Sequence, residues 1–301
     1  MTSANKISIV HRIILICVIS SLIAIGAAGE VLIQPAHNKI GSPPVGWQMQ
    51  SISLQTQDKD TVSCWFDRGM PGAGAVLLLH GIRGNRLQVL DRAKFLHDQG
   101  YTVMLIDLPA HGESTGERMT FGMQDSEAIK TSLTYLAQHF PSEKIGVIGI
   151  SLGAAGTVLA LVKHSPVPAA IILESMFPTI DEAVADRFEM RLGAWSRPFA
   201  PLLLWQLPLR LGFWAEQLRP INELTKLHVP VLIAAGSKDL HTKLEETKRI
   251  FQAANPPKEL WIVDGAVHQD LYKFEPKIYE AKISVFLAKY LRNTMLAFDQ
   301  N

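Results

Sequence analysis

The stretch Lys144-Ile145-Gly146-Val147-Ile148-Gly149-Ile150-Ser151-Leu152-Gly153-Ala154-Ala155-Gly156 joins an apolar run to a serine held between glycines, and then opens a helical pattern. An unbroken apolar run of this length reads as a strand buried on both faces. The G-x-S-x-G at its end reads as a strained turn from strand to helix, where side chains at the two flanking positions would clash. Runs of the same kind recur as AVLLLHG at 75–81, TVMLIDL at 102–108, AAIILES at 169–175, PVLIAAG at 230–236 and ELWIVDG at 259–265. Longer amphipathic stretches alternate with them, which predicts an α/β fold: a mostly parallel central sheet with helices on both faces. Upstream, residues 50–66 alternate polar and apolar around Gln57-Asp58-Lys59-Asp60, the pattern of an antiparallel hairpin. About 55 residues separate AAIILES from PVLIAAG where a crossover helix needs far fewer, so an inserted helical cap is expected at about 176–220.

Composition narrows the function. Of 301 residues, 48% are hydrophobic and 19% charged, enough apolar material for a deep core and too much for a disordered chain. Lysine and arginine total 29 against 28 acidic residues, so no basic surface points to nucleic acid. The two cysteines, Cys17 and Cys64, cannot build a disulfide framework, and no Cys or His cluster has metal spacing. With neither G-x-x-x-x-G-K nor G-x-G-x-x-G present, no cofactor and no metal is expected.

Residues 13–29, IILICVISSLIAIGAAG, carry no charge and follow Lys6, His11 and Arg12. Positive flank, apolar run and small residues occur in the order of an export signal. Cleavage at Ala27-Ala28-Gly29 would make the run a signal peptide and the product secreted or periplasmic. Retained, it is a short membrane anchor with the remaining chain outside the cytoplasm. The anchor is preferred, because the small residues match a cleavage site loosely. The expected organisation is a signal anchor or signal peptide over 1–33, a Pro- and Gly-rich linker over 34–46, and one domain over 47–301.

Three chemistry-bearing residues follow strand ends in order. Ser151 sits in the glycine elbow of Gly149 and Gly153; PVLIAAG leads into Ser237-Lys238-Asp239; ELWIVDG leads into Ala266-Val267-His268. A serine hydroxyl becomes a nucleophile when a histidine oriented by a carboxylate takes its proton, and open α/β sheets place such groups at strand C-terminal ends. Asp239 is the expected acid, with Glu174 at the end of AAIILES as the alternative. The developing oxyanion needs two N–H donors, expected from Leu152 and from Ile82 in the glycine-punctuated turn His80-Gly81-Ile82-Arg83-Gly84-Asn85. His80, Asp107 and His111 are read as bracing loops.

Together HGIRGN, DLPAHGES, GISLG, GSKD and GAVH resemble the loops of the α/β-hydrolase fold superfamily, in that family's order over roughly residues 47–293. In particular the chain resembles exported or membrane-anchored bacterial serine hydrolases grouped with serine aminopeptidase-like and BEM46-like proteins. The resemblance implies Ser151 as nucleophile, Asp239 as acid, His268 as base, and Ile82 and Leu152 as oxyanion donors. The cap region holds Trp195, Trp205 and Trp214, half of the six tryptophans, and Pro198, Pro201 and Pro208 with Arg197, Arg210 and Arg219 there argue against a second span. So apolar a cap can form an acyl pocket over Ser151, rest on a bilayer, or simply pack on the sheet. The expected function is a serine hydrolase of carboxylic esters with small-molecule or lipid-like substrates, touching the membrane through its N-terminal segment. The alternatives are a peptidase or amidase of the same fold, or a membrane-tethered binding protein without turnover.

Overall fold

The computed structural model describes residues 3–163 and 166–293; residues 294–301 of the expected 47–301 domain lie outside the described residues. Helix α1 (Ser3–Ile33) is followed by strand β1 (Ala36–His37), the hairpin β2 (Gln50–Gln55) and β3 (Thr61–Asp67), then β4 (Ala75–Leu79), α2 (Leu90–Asp98), β5 (Thr102–Ile106) and β6 (His111–Gly112). Next come α3 (Asp125–His139), β7 (Ile145–Ile150), α4 (Leu152–Leu161) and β8 (Ala170–Glu174). Four helices precede the next strand: α5 (Ile180–Leu192), α6 (Ala200–Leu204), α7 (Leu207–Leu211) and α8 (Pro220–Leu224). The chain closes with β9 (Val231–Gly236), α9 (Leu244–Ala253), β10 (Lys258–Val263), α10 (Leu271–Phe274) and α11 (Pro276–Leu291).

Eight strands form one sheet in the order β10-β9-β8-β7-β4-β5-β3-β2. The first five pairings are parallel, and β3 and β2 complete the edge antiparallel. Every residue of β4, β5, β7, β8 and β9 is buried, because helices cover both faces. Alternation along β4 sends Leu77 and Leu79 towards α3 and α4, and Val76 and Leu78 towards α2 and α11. Parallel pairing with crossovers leaves the C-terminal ends of β4, β7, β8, β9 and β10 at one edge, where the loops of interest emerge.

The N-terminal part departs from a free leader and linker. Contacts to the body begin well before Trp47: β1 pairs in parallel with β6, and the N–H groups of Ile40 and Gly41 both donate to Glu113. The loop 107–116 supplies unpaired backbone edges for the incoming chain to bond, which a composition count cannot show.

Candidate active site

The turn after β7 is built by sterics. Ser151 has φ 49° and ψ −101°, a conformation that side chains rarely adopt, and its N–H donates to Glu174 O at 2.7 Å. A Cβ on Gly149 would stand 2.6 Å from the Ala154 nitrogen, and one on Gly153 would stand 2.6 Å from Leu79 Cβ and 2.8 Å from His80 O. Gly149 is therefore required by the start of α4 folding back on it, and Gly153 by packing of the elbow against the end of β4. Gly153→Ala is expected to cost about 1–3 kcal/mol of stability through overpacking, read as a lower denaturation midpoint.

The loops beside it are held by buried polar groups. His80 accepts the Leu108 N–H on Nε2 at 2.9 Å, while Nδ1 lies 2.7 Å from Gly81 O, so the ring ties the loop after β4 to the loop after β5. Burial, and then the neighbouring His111, push His80 down to about 3, which keeps it neutral. Asp107 accepts the N–H groups of Arg86 and Glu113 and pairs with the Arg86 guanidinium at 3.0 Å. Among the described residues, the N–H groups of Ile82 and Leu152 have no protein acceptor. The Leu152 N–H also stands at the N-terminus of α4, where the helix dipole favours negative charge.

Beyond β9, Asp239 performs two tasks. Its Oδ1 accepts the N–H groups of His241 and Thr242 at 2.8 and 2.9 Å, the bonds expected of a turn cap, while Oδ2 accepts from His268 Nδ1 at 2.8 Å. Burial would raise this carboxyl, but the His268 hydrogen bond and charge, with the two backbone donors, hold it below the usual carboxylate range. His241 stacks on His268 with centroids 4.6 Å apart and planes 22° apart. Burial, then the adjoining His268, push His241 down to about 4. Nothing in the sequence singled it out beyond a position near a helix start.

Glu174, the alternative acid, is engaged elsewhere. It pairs with the fully buried Arg92 at 2.7 Å and accepts the Tyr279 hydroxyl, and Arg92 also meets Asp270 at 2.7 Å. It shares the parity of Ile172 along β8, so it points to the α2 and α11 layer. Glu174→Gln is expected to lower stability by about 3 kcal/mol, since it removes one of the two carboxylates that pair the fully buried Arg92 guanidinium, and to spare kcat of the folded protein. A denaturation curve and a rate per folded molecule check both halves.

Ser151, Leu152 and Ile82 line one chamber of about 430 Å³. Its remaining walls come from Phe121 and Phe177, from α5 through α7, and from Ala28, Gly29 and Val31 to Ile33 of α1. Arg187 and Arg191 enter it from α5 without an ion pair to any described carboxylate. The structure thus joins Asp239 to His268 and gathers Ser151, Leu152 and Ile82 on one wall. Among the described residues no hydrogen bond closes the Ser151 hydroxyl to the imidazole; such bonds commonly tighten only when substrate is bound. No group of three or more metal-ligating side chains occurs among the described residues.

The sequence profile of the serine aminopeptidase S33 family matches residues 71–219. The uncharacterised protein YqkD of Bacillus subtilis is 27% identical over 70% of each chain. Protein bem46 of Schizosaccharomyces pombe is 26% identical over 64% of this chain and 61% of its own. Among solved structures, the Pyrococcus furiosus esterase Pf2001 superposes with a TM-score of 0.69 at 23% identity, covering 85% of this chain and 99% of the esterase. An esterase from Thermogutta terrifontis gives 0.59 at 19% identity, covering 80% and 99%. With the sheet order, the glycine-walled elbow and these likenesses agreeing over the same strands, the chain belongs to the α/β-hydrolase superfamily and is a hydrolase of that fold.

Proposed function

We propose that the chain is a serine hydrolase of carboxylic esters that works through an acyl-enzyme on Ser151. The observation that carries this reading is the Asp239–His268 hydrogen bond of 2.8 Å, taken together with a serine held on a strained, glycine-walled elbow. Asp239 fixes the imidazole with its proton on Nδ1, leaving Nε2 as the base. Nε2 takes the Ser151 proton as Oγ attacks the ester carbonyl. The oxyanion receives the N–H groups of Leu152 and Ile82, which have no acceptor among the described residues. Collapse expels the alcohol, protonated by His268; the same imidazole then activates water to release the acid and restore Ser151. His241, stacked on the base, limits its rotation without contributing a charge.

Esters are favoured over peptides by the chamber, whose apolar walls of Phe121, Phe177, Ile180, Val184, Leu203 and Leu207 suit an acyl chain. The S33 profile match supports the second reading, a peptidase or amidase on the same residues. A fluorophosphonate probe tests the shared chemistry: labelling of the wild type and none of Ser151→Ala is expected, and equal labelling would reject it. A panel of aminoacyl amides against p-nitrophenyl acyl esters then decides between the two.

A further inference from the structure

Helix α1 includes the one segment among the described residues, Ile9–Ile33, that is long and apolar enough to cross a membrane. Its last two turns are not free of the body. Gln206 Nε2 donates to Ile25 O at 3.0 Å, Arg210 donates to Gly26 O at 2.7 Å and pairs with Glu30, and Arg83 donates to Val31 O at 2.7 Å. The Met119 N–H donates to Ile33 O at 2.8 Å. Two of the carbonyls that a helix C-terminus leaves unbonded, those of Val31 and Ile33, thus end on the loops that also border Ser151. Ala28, Gly29, Val31, Leu32 and Ile33 line the chamber together with residues of α5, α6 and α7.

Length sets where this junction lies. The uncharged run 13–29 has 17 residues, about 26 Å of helix, against about 30 Å of bilayer hydrocarbon. Bonds to the cap begin at Ile25, inside that run. Counted from Ile9, where the apolar span begins, Ile25 lies about 24 Å along the helix, so with the helix retained in a bilayer the corner of α6 and α7 that makes these bonds lies near the membrane boundary. Its outer surface agrees: Trp205 is 70% exposed and Leu209 91% exposed, on either side of Gln206 and near Arg210. Trp195 and Phe199 are exposed on the same cap. Aromatic and apolar side chains in this arrangement suit the headgroup level and have no reason to face water.

We propose that the C-terminal end of α1 is part of the substrate site: the helix is retained, and the chamber draws its acyl ester from the bilayer, with the chain lying against Leu32. The proposal rests on the reading of Ser151 given above only for the hydrolytic step; the chamber and its wall stand apart from it. Removal of the leader at Ala27-Ala28-Gly29 would delete Ala28 from the wall and cut the ties at Ile25 and Gly26, opening the chamber to water. Arg187, whose guanidinium donates to Ala183 O at 2.7 Å, and Arg191 make no ion pair among the described residues and put positive charge at the chamber wall, so a substrate with an anionic group beside its acyl chain fits best.

The test uses the full chain in detergent and in phosphatidylglycerol-containing vesicles. Intact mass of the membrane fraction is expected to show residues 1–33 retained; a chain starting after Ala28 would overturn the proposal. Leu32→Trp, which fills the chamber from the α1 side, is expected to lower kcat/KM for p-nitrophenyl laurate about tenfold and to leave the butyrate within twofold. Equal loss on both esters, or no loss on either, counts against it. A fluorescent long-chain fatty acid bound to Ser151→Ala separates the two ideas. Weaker binding on adding Leu32→Trp supports the wall even if Ser151 proves not to be the nucleophile, and unchanged binding rejects the wall even if it is.

Discussion

Ser151→Ala is expected to lower kcat for ester hydrolysis by about 10⁶-fold, the magnitude seen when a serine nucleophile acting with its base is removed. The substitution deletes the oxygen proposed to form the acyl bond, and among the described residues no other serine or threonine lines the chamber. Folding should be untouched or improved. Ser151 holds φ 49° and ψ −101°, and its backbone bonds to Glu174 O and from Ala155 N–H do not need the side chain. A circular-dichroism melt at or above the wild-type midpoint, with activity at background, is the anticipated pair of results. Activity within tenfold of wild type would remove Ser151 from the chemistry.

Asp239→Asn is the second large effect, expected at about 10⁴-fold in kcat. The carboxyl divides its oxygens between two kinds of partner: Oδ1 faces the N–H groups of His241 and Thr242, and Oδ2 faces His268 Nδ1. An asparagine satisfies this turn only with its carbonyl on the backbone donors, which aims its NH₂ at the imidazole. His268 must then present a bare Nδ1 and carry its proton on Nε2, so it cannot accept from Ser151. The turn remains intact while the base is in the wrong tautomer. A fall in kcat with KM nearly unchanged is the predicted signature, and Glu174→Gln supplies the contrast, costing stability in place of rate. Should Glu174→Gln cost the rate and Asp239→Asn leave it, the two acids would exchange roles.

The two acids also show how far a reading of residues reaches. Glu174 ends an apolar strand and Asp239 follows one closely, both at the same edge of the sheet, and from the chain alone Glu174 qualified as an acid. Strand periodicity places Glu174 with Ile172 on the layer of α2 and α11, but which layer lies opposite the site depends on packing of helices more than 80 residues away in sequence, where Tyr279 donates to it across a separation of 105. Asp239 lies beyond its strand end, in a turn whose direction its own Oδ1 bonds set locally. His241 escaped notice for a related reason. A stacked ring has no sequence signature, since the stack needs two loops, after β9 and after β10, to meet.

The amino-acid sequence by itself determined the α/β class, the parallel strands, the elbow at Ser151 and the order of serine, acid and histidine. Those features arise from local causes: apolar runs that must be buried, glycines where a Cβ has no room, turns at strand ends. It determined as well that an uncharged helix begins the chain, and that a tryptophan-rich insertion precedes β9. Only the tertiary structure decided that these two apolar parts meet. The ties from Arg83, Met119, Gln206 and Arg210 to the end of α1 span 52 to 184 residues, and each uses backbone carbonyls that any helix would offer. Hydropathy measures how much apolar surface a segment has; which other surface covers it is set by packing over the whole chain, and here that packing makes the leader a wall of the chamber beside Ser151.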